Sequence, residues 1–173
     1  MNQEIILVNN RDEPVGYTSK EEAHRTGKLH RAFSVFLYSK DRLLIQQRAD
    51  DKYHSPGLWA NTCCSHPRKG EQLEDAVDRR LMEEAGIVCK TREIFSFIYK
   101  HRFDEELYEH EFDHVFLGEY SGEYRMNPDE AKAFRWVSSE ELLKDLGEHP
   151  EKYACWFRIA APRVIEMIKE GRV

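Results

Sequence analysis

The chain has 173 residues, 40% of them apolar, and a formal net charge of −6. That length buries one core of ordinary domain size, the acidic balance denies a polynucleotide the basic field it would need, and no window approaches the roughly 20 uninterrupted apolar residues of a membrane span. MNQEIILVNN lacks the basic-then-apolar plan of a leader, so the expectation is one domain over residues 1–173, working in the cytoplasm without nucleic-acid or membrane partners and with no oligomeric state specified.

In chain order, EIILV reads as a strand and NNRDEPVG as a turn. Ser19 followed by Glu22 forms a capping box that opens a short helix, closed by Gly27 just before His30. Residues 31–38 and 43–48 are apolar runs separated by SKDR, the pattern of a hairpin. From Leu73 to Ala85 the apolar positions Leu73, Ala76, Val77, Leu81 and Ala85 recur at helical spacing and set Arg80 and Glu84 one turn apart; Gly86 stops the helix. Strands are expected near 93–100 and 109–117, then a short helix at 138–146. A last amphipathic helix carries Trp156, Ile159, Val164, Met167 and Ile168 on its apolar face. Strands and helices mix without strict alternation, which predicts an α/β sandwich with a mixed sheet between helices. The four cysteines (Cys63, Cys64, Cys89, Cys155) include an adjacent pair, and free thiols are expected.

Three segments carry the chemistry. In NTCCSHP, residues 61–67, an extended backbone points Cys64 and His66 the same way, into one cavity; a turn-capping histidine beside a buried thiol is the plainer reading. In EHEFDHVF, residues 109–116, Glu109, Glu111 and Asp113 alternate and share one strand face that Val115 continues inward. Carboxylates on an inward face are costly unless a positive group, commonly a divalent cation, sits against them; a solvated edge is the alternative. Adding His24 and His30 makes three imidazoles and two carboxylates (His24, His30, His66, Glu109, Glu111). That donor set favours Mn²⁺, Mg²⁺ or high-coordinate Zn²⁺ over a tetrahedral structural zinc. His54, His101, His110, His114 and His149 receive no role.

The third segment, Ser65 to Ile87, places Glu71, Arg79, Glu83, Glu84 and Gly86 at the spacing of the Nudix signature, which it resembles with two departures. Ser65 stands for the first Gly, and Arg80 for a Glu that helps hold the hydrolytic metal. A cation in that place argues against water-activating hydrolysis.

Together NTCCSHP, the altered signature, EHE, the histidines of AHRTGKLH, RADDKYHSPGLWANTCCSHP and YACWFR resemble the type I isopentenyl diphosphate isomerases along almost the whole chain. The resemblance implies a Nudix-type α/β/α sandwich and the conversion of isopentenyl diphosphate to dimethylallyl diphosphate. It makes Cys64 and Glu111 catalytic, in an order of proton delivery and removal that it leaves open. Tyr99 assists or is an ordinary strand aromatic; Trp156 faces the carbocation or is a core aromatic. The same resemblance implies a divalent ion on His24, His30, His66, Glu109 and Glu111, and a Mg²⁺ carried with the diphosphate on Glu84 and the Cys64 carbonyl. Lys20, Arg48, Lys52 and Arg80 become diphosphate-binding cations. A Nudix hydrolase of a nucleoside diphosphate derivative and a noncatalytic metal- or phosphate-binding module are the rival readings.

Overall fold

The computed structural model describes residues 3–52 and 54–173. The chain runs β1 (Glu4–Val8), β2 (Pro14–Ser19), α1 (Lys20–Thr26), β3 (His30–Ser39), β4 (Arg42–Arg48), β5 (Trp59–Ala60) and β6 (Cys63–Ser65). It continues through α2 (Leu73–Ala85), β7 (Arg92–Arg102), β8 (Tyr108–Glu119), β9 (Ala131–Ser138), α3 (Ser139–Glu148), a 3₁₀ turn at Pro150–Lys152 and α4 (Cys155–Lys169).

Strand β3 is the hub of one nine-stranded sheet. It pairs antiparallel with β4 and β6 and parallel with β8, from His30 opposite Glu111 to Tyr38 opposite Glu119. The parallel pair among antiparallel ones makes the sheet mixed, as the sequence pattern predicts.

Strand alternation divides the core between two faces. Phe33, Val35 and Leu37 of β3, with Leu44 and Phe116, pack against Ala76, Val77, Leu81 and Ala85 of α2. Phe36, Leu43, Ile45, Val115 and Leu117 turn the other way, onto Phe157, Ala160, Ala161 and Val164 of α4. The result is a helix–sheet–helix sandwich.

Local signals set the helix ends. Ser19 Oγ accepts from the Glu22 amide at 3.1 Å, and Gly27 closes α1 at φ 66°, where its missing side chain leaves room for Tyr108, 3.4 Å from a built Cβ. Strand β2 falls where the sequence reads as a turn. It contains Pro14 and Gly16, is mostly exposed and pairs only with β1, so it carries no buried alternation to read. Strand β9 also escapes the sequence pattern, burying only Ala131 and Val137. On α4 the buried stripe is Trp156, Phe157, Ala160, Ala161, Val164 and Ile165; Ile159, expected on that face, points to solvent.

Candidate active site

The register of the sheet assembles the inner end of the site. Glu111 lies opposite His30 on β3 and Tyr99 on β7, and Cys64 lies opposite Ser34, which is itself opposite Val115. Paired residues project to the same side, so these groups share the α4 face, while Cys63 turns to the α2 core. His66, two residues beyond Cys64, follows it. Glu109, Glu111 and Asp113 are all buried, as their alternation predicts. Asp113 accepts a 2.8 Å hydrogen bond from Ser34 Oγ; burial and the charge of Glu111 push its carboxyl well above the ordinary range, so it keeps its proton.

Around Glu111 the imidazoles close in. The rings of His24, His30 and His66 lie 5.0 to 5.7 Å apart, and each residue, with Glu111, offers one donor atom within 4.8 Å of all the others. His24 Nδ1 faces the Lys20 carbonyl at 2.6 Å and His30 Nδ1 the Lys28 carbonyl at 2.8 Å. A carbonyl partner fixes the proton on Nδ1 and the lone pair on Nε2, the arrangement that orients metal-ligating histidines. Burial brings His24 down to about 4 and His66 to about 3, so both are neutral donors at neutral pH. Against the same burial, the neighbouring imidazoles of His30 and His66, the latter hydrogen-bonded to Glu111 Oε1 at 2.9 Å, hold Glu111 well below the ordinary carboxylate range. Neutral imidazoles around an ionised buried carboxylate fit a divalent cation.

Glu109 belongs to a second, overlapping group with His24 and His54. His54 Nε2 is 2.9 Å from Glu109 Oε1, a contact that no periodicity announces because His54 sits in the β4–β5 connection. Its one sequence signal is its place within RADDKYHSPGLW. The other histidines stay outside the cluster: His110 faces the Gly27 carbonyl, His114 lies between Asp12 and Glu93, and His101 and His149 are exposed.

Tyr99 joins the two glutamates, its hydroxyl 2.6 Å from Glu111 Oε2 and 3.1 Å from Glu109 Oε2. Burial, with Glu111 beside it, raises Glu109 to about 8. Tyr99 is pushed well above the usual phenol range by burial and the two carboxylates, so it holds its proton. Across a small pocket of about 40 Å³ stand the Cys64 thiol and the Trp156 ring. Withdrawal from water pushes Cys64 up to about 12, against the pull of Arg48. Trp156 is anchored by its indole N–H, which donates to Asn61 Oδ1 at 3.0 Å, and Arg48 lies over its face at 5.3 Å.

A larger cavity of about 760 Å³ opens outward from Cys64 and His66 and is lined by Lys20, Arg48, Lys52, Arg80 and Glu84. The four cations predicted to bind phosphate thus meet in one place. Arg80 donates to Glu84 Oε1 at 2.6 Å and lies 3.2 Å from Glu130, which also pairs with Lys52. Gln46 donates to Glu84 Oε2 at 3.1 Å. Glu130 and Gln46 are site residues without a sequence signal: each reaches the cavity through contacts distant along the chain. All four cysteines are free thiols.

A NUDIX domain matches residues 28–157. An Aromatoleum aromaticum protein named "Isopentenyl-diphosphate Delta-isomerase 2" is 49% identical over 95% of this chain and 88% of its own length. A second protein of that organism, "Isopentenyl-diphosphate Delta-isomerase 1", is 47% identical over 99% and 98%. Among solved structures, a Deinococcus radiodurans protein has a TM-score of 0.78 at 25% identity, covering 93% of this chain and 98% of that one. A MutT NUDIX hydrolase from Burkholderia pseudomallei has a TM-score of 0.63 at 25% identity, covering 79% and 98%.

Proposed function

The chain belongs to the isopentenyl-diphosphate Delta-isomerases of the NUDIX family, and from that premise we propose that it interconverts isopentenyl and dimethylallyl diphosphate with Cys64 and the Tyr99–Glu111 pair as the proton-handling groups. The observation that carries this reading is the inner pocket, which brings the Cys64 thiol, Tyr99, Glu111 and the Trp156 ring onto one small space at the foot of the cationic cavity.

The reaction adds a proton at C4 of the isopentenyl group and removes one from C2, through a tertiary carbocation. Protonating an unactivated alkene demands a positioned acid, a base on the opposite side and exclusion of water. Cys64 as a thiol and Tyr99 as a phenol each hold a proton at neutral pH on different strands around the pocket, and the ionised Glu111 carboxylate, bonded to Tyr99, can accept the one removed. Trp156 supplies an electron-rich face, a contact of about 2 kcal/mol for a desolvated cation. That face holds the Arg48 guanidinium here. A diphosphate in the outer cavity offers Arg48 a stronger, charge-assisted partner and thereby frees the ring for the substrate cation.

His24, His30, His66 and Glu111, with Glu109 beside them, would hold a divalent ion. When bound, it supplies positive charge that balances the buried carboxylates and strengthens the acidity of groups attached to them. Five N/O donors without thiolate favour Mn²⁺, Mg²⁺ or high-coordinate Zn²⁺. Lys20, Arg48, Lys52 and Arg80 would bind the diphosphate, and Glu84 with the Cys64 carbonyl would hold the Mg²⁺ that travels with it. A working catalytic thiol suits the reducing cytoplasm, and among the described residues no helix is long and apolar enough to cross a membrane.

Hydrolysis is the weaker reading, because Arg80 neutralises Glu84 where the hydrolytic signature needs another acid. The test is to incubate the purified protein with isopentenyl diphosphate, Mg²⁺ and Mn²⁺ while following dimethylallyl diphosphate and free phosphate together. Isomer without phosphate is expected; phosphate release, or no reaction, overturns the proposal.

A further inference from the structure

We propose that Asn61 is a positioning residue of the isomerase: its side-chain amide fixes the Trp156 ring relative to the Cys64 peptide across the inner pocket, and so keeps the carbocation between them out of reach of water. The inference rests on the reaction proposed above and adds to it a residue that touches no substrate, since Asn61 lines neither the inner pocket nor the outer cavity. Asn61 lies between β5 and β6, is 1% exposed, and has three chain segments converging on it. Its Nδ2 donates to the Cys63 carbonyl at 2.6 Å and to the Val35 carbonyl of β3 at 3.2 Å, and its Oδ1 accepts from the Trp156 indole at 3.0 Å. Two carbonyls on one side and an N–H on the other fix which end of the amide is which. No other side chain of this size offers donors and an acceptor in one rigid plane: aspartate would face two carbonyls with a charge, and leucine would give up all three bonds.

These bonds join two walls of the pocket. The Cys63 carbonyl belongs to the peptide that leads into Cys64, so one end of the amide sets the strand that carries the thiol. The other end holds the polar edge of an indole that is 2% exposed, stands in the first turn of α4 and lines the same pocket as Cys64. Two residues earlier, the Trp59 carbonyl accepts from the Ala154 amide at 2.9 Å, so backbone and side chain of one short segment together seat the start of α4. His54 meets the Trp156 ring edge-on at 5.7 Å, and Arg48 lies over its face. Such ring contacts tolerate sliding and tilt, whereas the bond at Nε1 is directional, so Asn61 decides where the face points. In the reaction a proton goes on at C4 and another comes off at C2 while the positive charge sits at C3. Acid, base and ring must therefore meet three adjacent carbons at once, a geometry in which a misplacement of about 1 Å costs on the order of 10²-fold. A misplaced ring also opens a second exit: water forms a C–O bond at C3, loses a proton, and leaves a tertiary alcohol diphosphate in place of the isomer.

The experiment measures kcat, KM for isopentenyl diphosphate and the ratio of tertiary alcohol to dimethylallyl diphosphate in the metal-loaded wild type and in three variants. These are Asn61→Ala, Trp156 replaced by benzothienylalanine, whose sulfur stands where the indole N–H was, and the two changes combined. Asn61→Ala is expected to lower kcat about 10²-fold, to leave KM within about threefold of the wild type because the diphosphate seat is untouched, and to release the alcohol. The benzothienyl variant keeps the ring and loses only its donor; it is expected to release the alcohol too, with kcat at least about tenfold down. The double variant should be no slower than Asn61→Ala, since both changes cut one bond. Wild-type kcat in either single variant overturns the proposal. So does a raised KM at unchanged kcat, a slowed reaction without alcohol, or losses that multiply in the double. If Asn61→Ala does not fold, the benzothienyl variant, with the amide intact, decides the matter alone. A wild type that forms no isomer would instead bring down the isomerase reading itself, an outcome distinct from all of these.

Discussion

Helix α2 and strand β8 both carry closely spaced carboxylates, Glu84 of the one lining the outer cavity and Glu109 and Glu111 of the other the inner pocket, and they neutralise them differently. Around α2, Arg79 lies between Glu71 and Glu83, and Arg80 between Glu83 and Glu84, every contact within 3.3 Å. These carboxylates are paired with guanidiniums of the helix itself. On β8, Glu109, Glu111 and Asp113 face a phenol, a serine and a set of imidazoles of which His24, His54 and His66 are neutral at neutral pH. That face remains short of positive charge, and a divalent ion is the group its donors suit. The same acidic residue types are therefore paired with arginine on the helix and set against histidine on the strand, as the proposed phosphate and metal sites require. What separates them is whether arginine or histidine stands opposite.

The comparison breaks first at Glu111. Glu111→Gln is expected to lower turnover by about 10³-fold or more and to weaken Mn²⁺ uptake, both readable by isomer formation and metal titration; near-normal turnover would remove β8 from the chemistry. Cys64→Ala should cost about 10² to 10⁴ in kcat yet leave Mn²⁺ affinity unchanged, since the thiol lies outside both donor groups. A parallel loss of metal would show that the thiol supports the metal site itself.

Arg80→Ala tests the helix. Loss of a charge-assisted contact of about 1.5–3 kcal/mol predicts a KM for isopentenyl diphosphate raised about tenfold or more, with a smaller change in kcat. An unchanged KM would confine Arg80 to its ion pair with Glu84. Smallest is Glu71→Gln. Hydrogen bonding from Arg79 holds Glu71 below its ordinary 4.5, so the stability it contributes is present above pH 4.5 and is lost as pH falls through the folded value. The pair is partly exposed, so urea unfolding at pH 7 should show a deficit of about 1 kcal/mol or less that shrinks as pH falls through the folded value; a gap independent of pH would refute the pairing.

Much of the arrangement is legible along the chain because it is periodic or local. The two-residue repeat of Glu109, Glu111, Asp113 and Val115 marks an inward strand face, and helical spacing outlines α2. Ser19 with Glu22 opens α1 and Gly27 closes it. Each of these rests on a few neighbouring residues whose backbone geometry alone settles which way side chains point. The edge strand β2, the two-residue β5 and the largely unburied β9 were hidden, having too few buried positions to make a pattern.

The sequence by itself determined the donor and acid types, their pairing at i and i+2, and the one-turn spacing of Arg80 and Glu84 on the helix. Tertiary structure alone decided that His54 comes to rest on Glu109, that Glu130 bridges Arg80 and Lys52, and that Arg48 covers Trp156. Those contacts join segments distant in the chain, and closing them depends on the parallel register of β3 with β8 and on a connection whose shape no local repeat encodes.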